Sequence, residues 1–221
     1  MRVDVPSIVD SALQRIEERY DRPLDVIGDV IARSVTENRD YPWKLTEVKS
    51  LCAEARLADM FAWLGEEGYD VGFVEGTGMW NDRYWLLPSG IGKRVRVYHF
   101  CGDNMDQIQK KPNTEFDLVA WVNGYPVVGE SKSGRNSYHR RIDFYRKVAM
   151  FRRALPEEAH GYGNDGPTIV LGVPDNHELA VNENLAQSLY RVGGRMLKLQ
   201  TGWERLDSYA TSLCSGLGIS C

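Results

Sequence analysis

Apolar residues recur at helical spacing through the first third of the chain and mostly at strand spacing beyond it. In "PSIVDSALQRIEERY", residues 6 to 20, Ile8, Val9, Leu13 and Ile16 share one helical face, and Pro6 suits a first turn. A second helix is expected after Pro23 through "LDVIGDVIARSV", so residues 1–44 read as a helical extension ending near "RDYPWK". That extension could cover the core or pair with a second subunit as a homodimer, and the pattern does not choose. Thr46 can cap the next helix, "EVKSLCAEARLADMFAWLGEE", and Gly68 can end it. "YDVGFVEG" then reads as a strand, residues 76 to 114 as an irregular stretch with strands in "DRYWLLP" and "KRVRVYHFC", and "TIVLGVP" as a short buried strand. A helix is expected from about residue 138 to 155, another in "DNHELAVNENLAQSLYR", and a last strand in "RMLKLQ" before a final helix. Helix, three or more strands, helix, strand is the order of a mixed α/β domain, here residues 45–221.

The most informative stretch is "EFDLVAWVNGYPVVGESKSG", residues 115 to 134, where Asn123-Gly124 between two β-rich runs marks a type I′ hairpin. With a two-residue loop Val122 faces Tyr125. Stepping outward then puts Asp117 opposite Glu130 as a non-hydrogen-bonded pair, with Cα atoms about 4.5 Å apart. Lys132, two residues on, emerges on the face of Glu130. Like charges directly opposite destabilise a sheet, so a lysine, a shared proton or an oxygen-preferring cation such as Mg2+ must offset the repulsion. Phe116, Leu118, Ala120, Val122 and Val127 are apolar on one face, and Val119, Trp121 and Val128 on the other, which predicts a central strand covered on both sides. Pro126 lacks an N–H, so in this register the neighbour away from the hairpin partner must be short or offset there.

Composition narrows the function without choosing it. A hydrophobic content of 43% over 221 residues suits one core with a modest extension. A formal net charge of -4 excludes binding driven by overall positive charge, though a local basic surface can still hold phosphates. No apolar run approaches the roughly 18 to 20 residues of a bilayer span, and the opening "MRVDVPSIVD" lacks the basic-then-apolar order of a signal peptide. A cytoplasmic location without membrane attachment is therefore expected. Cys52, Cys101, Cys214 and Cys221 form no Cys-x-x-Cys pair, which predicts reduced structural thiols and leaves a Cys214–Cys221 pair open.

Asp117, twelve intervening residues and then Glu130-Ser131-Lys132 resembles the core motif of the PD-(D/E)XK nuclease superfamily, with Phe116 where the name-giving proline would stand. The resemblance extends over roughly residues 46 to 174 and implies a restriction-endonuclease-like α-β-β-β-α-β core, a central mixed sheet flanked by helices. By resemblance, Asp117 and Glu130 would bind Mg2+, with Mn2+ able to substitute, and Lys132 would position or help activate the attacking water. The family usually adds an acidic residue from the first core helix. Glu54 is the candidate because Leu51, Leu57, Ala58 and Phe61 share its helical face. A glutamate set in an apolar stripe needs a partner; the alternative to a metal is that its side chain curls to solvent or meets Arg56 or another base. Glu47 and Asp59 are further alternatives.

Downstream, "SYHRRIDFYRKVAMFRRAL" sets Arg140, Arg141, Arg146, Lys147, Arg152 and Arg153 against Asp143 on one polar side, a face that could track a phosphate backbone. Tyr138, Arg140, Arg141 and Lys147 are its candidate nucleic-acid contacts. The resulting expectation is a metal-dependent nuclease, an endonuclease acting on DNA in the first instance. The alternatives are a catalytically inactive nuclease-fold module for nucleic-acid binding or assembly, and an interaction protein whose hairpin charges are plain salt bridges.

Overall fold

Helix α1 (Ser7–Arg19) turns Val9, Ala12, Leu13 and Ile16 inward, while Ile8, expected on that face, remains exposed. The computed structural model describes residues 5–76, 78–81, 84–89, 93–99, 114–133, 168–177, 180, 183–191 and 193–219. After a 3-10 turn (Leu24–Ile27) comes α2 (Gly28–Glu37), and the buried side chains of this N-terminal part lie in the same apolar cluster as α3 (Leu45–Glu66). Helix α3 starts two residues earlier than a Thr46 cap would place it, with Lys44 in the cap position. The Lys44 N–H donates to the Glu47 carboxylate at 2.9 Å, which satisfies a helix-start donor and suits the positive end of the helix dipole. Gly68, at φ 94°, sits just past its end.

Nine strands follow among the described residues: β1 (Val71–Phe73), β2 (Gly78–Asn81), β3 (Tyr84–Pro88), β4 (Val95–His99), β5 (Thr114–Phe116), β6 (Leu118–Val122), β7 (Tyr125–Ser131), β8 (Thr168–Val173) and β9 (Gly194–Lys198). Helix α4 (Glu183–Tyr190) precedes β9, and α5 (Trp203–Gly216) ends the fold. The protein is mixed α/β. A five-stranded sheet in the order β1-β6-β7-β8-β9 is antiparallel through β7 and parallel from β7 to β9. Strands β2 to β5 form a separate antiparallel sheet, inserted in sequence between β1 and β6, and two of its strands were not foreseen.

The five-stranded sheet is covered on both sides, as the two apolar faces of the hairpin required. Leu118, Ala120, Val122, Val127 and Val170 pack with α3, whereas Val119, Val128, Ile169 and Leu171 pack with Leu86, Val95 and Val97 of the inserted sheet. The β7–β8 ladder begins at Val127–Thr168, one residue past Pro126, so the missing N–H falls outside it. Two glycines set the helix-to-sheet distance. A Cβ on Gly129 would lie 2.9 Å from Leu57 Cδ2 and 3.0 Å from Leu118 Cβ, and one on Gly172 would lie 3.3 Å from Leu57. Arg56, 2% exposed, donates to the carbonyls of Leu199 and Pro23 and stacks over Tyr20, fastening the N-terminal segment to the end of β9.

The predicted helix at 138–155 lies outside the described residues. Among the described residues no helix is long and apolar enough to cross a membrane. Cys52 is a buried free thiol, and burial pushes its pKa up to about 12. Cys214 is disulfide-bonded, whereas reduced thiols were expected with a Cys214–Cys221 pair left open. Gly129→Ala is expected to lower unfolding free energy by about 1–3 kcal/mol in urea titrations, because Leu57 and the sheet backbone cannot both yield. Gly216→Ala, where nothing lies within 4 Å of an added Cβ, should be neutral or slightly stabilising, and equal effects at the two positions would contradict this packing.

Candidate active site

Asn123 and Gly124 adopt φ values of 49° and 81°, the left-handed pair a type I′ turn demands, and they lock the β6–β7 register. Pairing runs from Val122–Tyr125 to Leu118–Gly129, as the two-residue loop implied. It stops there. Asp117 occupies a bend between β5 and β6, where the chain passes from the inserted sheet to the central one, so Asp117 and Glu130 do not form the expected ladder pair. The bend also reverses the alternation: Phe116 packs with Val119 and Val128, not with Leu118.

The bend assigns a specific role to the Asp117 carboxylate. The N–H of Lys132 donates to Gly172 on the β8 side, so the N–H of Ser131 points toward β6, whose ladder has ended. Asp117 Oδ2 accepts that N–H at 2.7 Å and the Ser131 hydroxyl at 3.2 Å. A charge-assisted bond replaces the missing ladder carbonyl and contributes about 1.5–3 kcal/mol. Glu130 alternates with Val128 toward the inserted sheet and is 2% exposed, and its Oε2 accepts from Lys132 Nζ at 3.0 Å. Just beyond, the Ser133 hydroxyl meets Ser50 of α3 at 3.2 Å, tying the end of the motif to the helix.

Glu54 reaches the same place from α3. Its side chain is 5% exposed and is gripped by Arg94, the residue before β4, through Nε–Oε2 at 2.5 Å and Nη2–Oε1 at 2.7 Å. Burial first, and then the neighbouring charge of Asp117, pushes the Glu54 carboxyl up to about 8, with Glu130 adding to the rise and Arg94 opposing it. For Arg94, burial works against the charged form, but the Glu54 carboxylate prevails and raises its pKa. Glu54 is thus the electrostatic neighbour of both hairpin carboxylates. The alternatives are engaged elsewhere: Glu47 at the start of α3, and Asp59 with the Tyr20 hydroxyl and with Arg22.

Sequence reasoning required a partner for buried Glu54 but did not single out Arg94, which comes from the inserted sheet and is forty residues distant in sequence. Arg56, the partner named beforehand, is used by backbone carbonyls instead. The role of Ser131 was also missed. Tyr138, Arg140, Arg141 and Lys147 lie outside the described residues. Among the described residues no group of three or more His, Cys, Asp or Glu side chains stands at metal-holding distance. Glu54, Asp117 and Glu130 each accept from a protein donor, namely Arg94, Ser131 and Lys132. No family model matches the chain, and no curated protein matches it.

The buried Glu54 carboxyl predicts a pH signature. Its folded pKa stands above the ordinary 4.5, so between about pH 4.5 and 8 the folded state holds the extra proton and stability falls as pH rises. In thermal melts from pH 5 to 8, Glu54→Gln should gain on the parent protein progressively with pH. A difference between the two that stays constant across this window would contradict the assignment.

Proposed function

We propose that this protein is a divalent-metal-dependent nuclease of the PD-(D/E)XK kind that hydrolyses phosphodiester bonds, with DNA as the first substrate to test. The observation that carries the reading is the meeting of Asp117, Glu130 and Lys132 at the β6–β7 end with Glu54 from α3. Strand order supports it: α3, then antiparallel β1, β6 and β7, then β8 beside β7 in parallel, is the arrangement the restriction-endonuclease-like core calls for. The β2–β5 sheet is then an insertion between the first two core strands.

The donors suit a hard cation. All are carboxylate oxygens, and Asp117 uses only Oδ2 for Ser131, leaving Oδ1 without a hydrogen-bond partner among the described residues. Asp117 and Glu130, with Glu54 once parted from Arg94, would hold Mg2+ or Mn2+. When bound, that ion supplies Lewis-acid polarisation of the phosphate and a bound water of lowered pKa. Ser131 fixes the Asp117 carboxylate so that Oδ1 is the oxygen left to bind. Lys132 gives one Nζ donor to Glu130, and its other Nζ donors would serve the attacking water or a phosphate oxygen. The rival reading, a nuclease-fold module that binds or assembles without cleaving, is favoured by one feature, the hold of Arg94 on both oxygens of Glu54.

Linear, circular, branched and single-stranded nucleic acids, each with and without Mg2+ or Mn2+, separate the two. Metal-dependent cleavage of at least one substrate is expected, and Asp117→Asn or Lys132→Ala should reduce it about 10²–10⁴-fold with the circular dichroism spectrum unchanged. Cleavage at the parental rate in both variants would reject the assignment, and no cleavage of any substrate would favour the binding module.

A further inference from the structure

Arg94 comes from the inserted sheet, yet its guanidinium lies inside the carboxylate cluster of the central one. Its backbone is fixed by the Ser89 N–H donating to its carbonyl at 2.9 Å, and its side chain spans from that loop to Glu54 on α3. A second acid is already at hand, with Arg94 Nη1 3.7 Å from Glu115 Oε1. Glu115 itself faces Arg96 across the β4–β5 ladder and pairs with it at 2.8 Å. Arg94 therefore has one tight bidentate partner, in the cluster, and a looser contact outside it.

Arg94 satisfies the buried Glu54 carboxylate and stands beside Asp117 as well. Among the described residues Arg94 grips Glu54 and Lys132 meets Glu130, and Asp117 is a further acid beside Glu54 and Arg94. A divalent ion held by Glu54 would have to take a carboxylate that Arg94 already grips through both oxygens. Once displaced, the guanidinium is a partly buried cation without its bidentate partner, and its planar fork fits a phosphate as well as a carboxylate.

We propose that Arg94 is a substrate-binding residue of this site: it holds Glu54 in the metal-free protein and exchanges that carboxylate for a phosphate of the nucleic acid when the divalent ion binds. The proposal rests on the metal-dependent reading. It makes metal and nucleic acid bind cooperatively, through a residue outside the Asp117-Glu130-Lys132 motif.

The test compares the full chain with Arg94→Gln and Arg94→Lys. Mn2+ is titrated calorimetrically, and binding of a labelled DNA duplex is followed by anisotropy with and without Ca2+, used in place of Mn2+ to keep the duplex whole. Removing a close competing charge should tighten Mn2+ binding by about tenfold in Arg94→Gln, and the metal-dependent gain in duplex affinity should shrink by a similar factor. Arg94→Lys, which keeps the charge but not the fork, should fall between, and it carries the same test if the glutamine variant does not fold. A merely structural arginine predicts a lower melting temperature with Mn2+ affinity unchanged or weakened; that result would overturn the proposal and leave the metal site standing. Absence of Mn2+ binding in parent and variants alike would remove the metal reading and this inference with it.

Discussion

The candidate site depends on one hydrogen bond, from the backbone N–H of Ser131 to the carboxylate of Asp117. An antiparallel hairpin continued one pair further would have set Asp117 against Glu130, two like charges at the closest spacing a sheet allows. The chain instead bends at Asp117, and the N–H left behind by the ended ladder recruits the carboxylate that the bend frees. An orphan donor and an unpaired charge are satisfied together. Glu130 then answers to Lys132 on its own strand, and the two acids remain neighbours without facing each other in a ladder.

The same bend joins the two layers of the protein. Residues before it belong to the inserted sheet and residues after it to the central one, so Phe116 and Leu118 point into different cores. Arg94, which also contacts Glu115 of β5, reaches Glu54 on α3 from the inserted sheet. Close approach of α3 is secured separately by Gly129 and Gly172, which make room for Leu57 three residues along the helix from Glu54. The acid is thereby held against a sheet that offers it little water, and its preference for a proton or a cation follows from that burial.

Much of this was legible in the chain. Asn123-Gly124 fixed the turn and therefore the register, the doubly apolar strands announced a central position for β7, and Pro126 was rightly read as marking where the neighbouring ladder begins. The apolar stripe around Glu54 marked this acid as one that needs a partner or must turn to solvent, and it is buried. The bend at Asp117 was not legible. Period-two alternation runs unbroken through Phe116 and Leu118, and only the competition between two sheets for the same segment interrupts it. Arg94 was hidden for a related reason: the pairing is made between layers, and nothing local to "KRVRVYHFC" distinguishes an arginine that faces solvent from one that crosses to α3. Short-range chemistry encoded the hairpin, and long-range packing decided which charges meet.

The most direct test of the central claim is the position of anomalous scattering from Mn2+ in crystals of the protein grown with that ion. One site is expected, within coordination distance of Asp117 Oδ1 and Glu130, with Ser131 still holding Asp117 Oδ2. A fully occupied Mn2+ elsewhere, with the Asp117, Glu130 and Glu54 carboxylates keeping only their protein partners, would contradict the account.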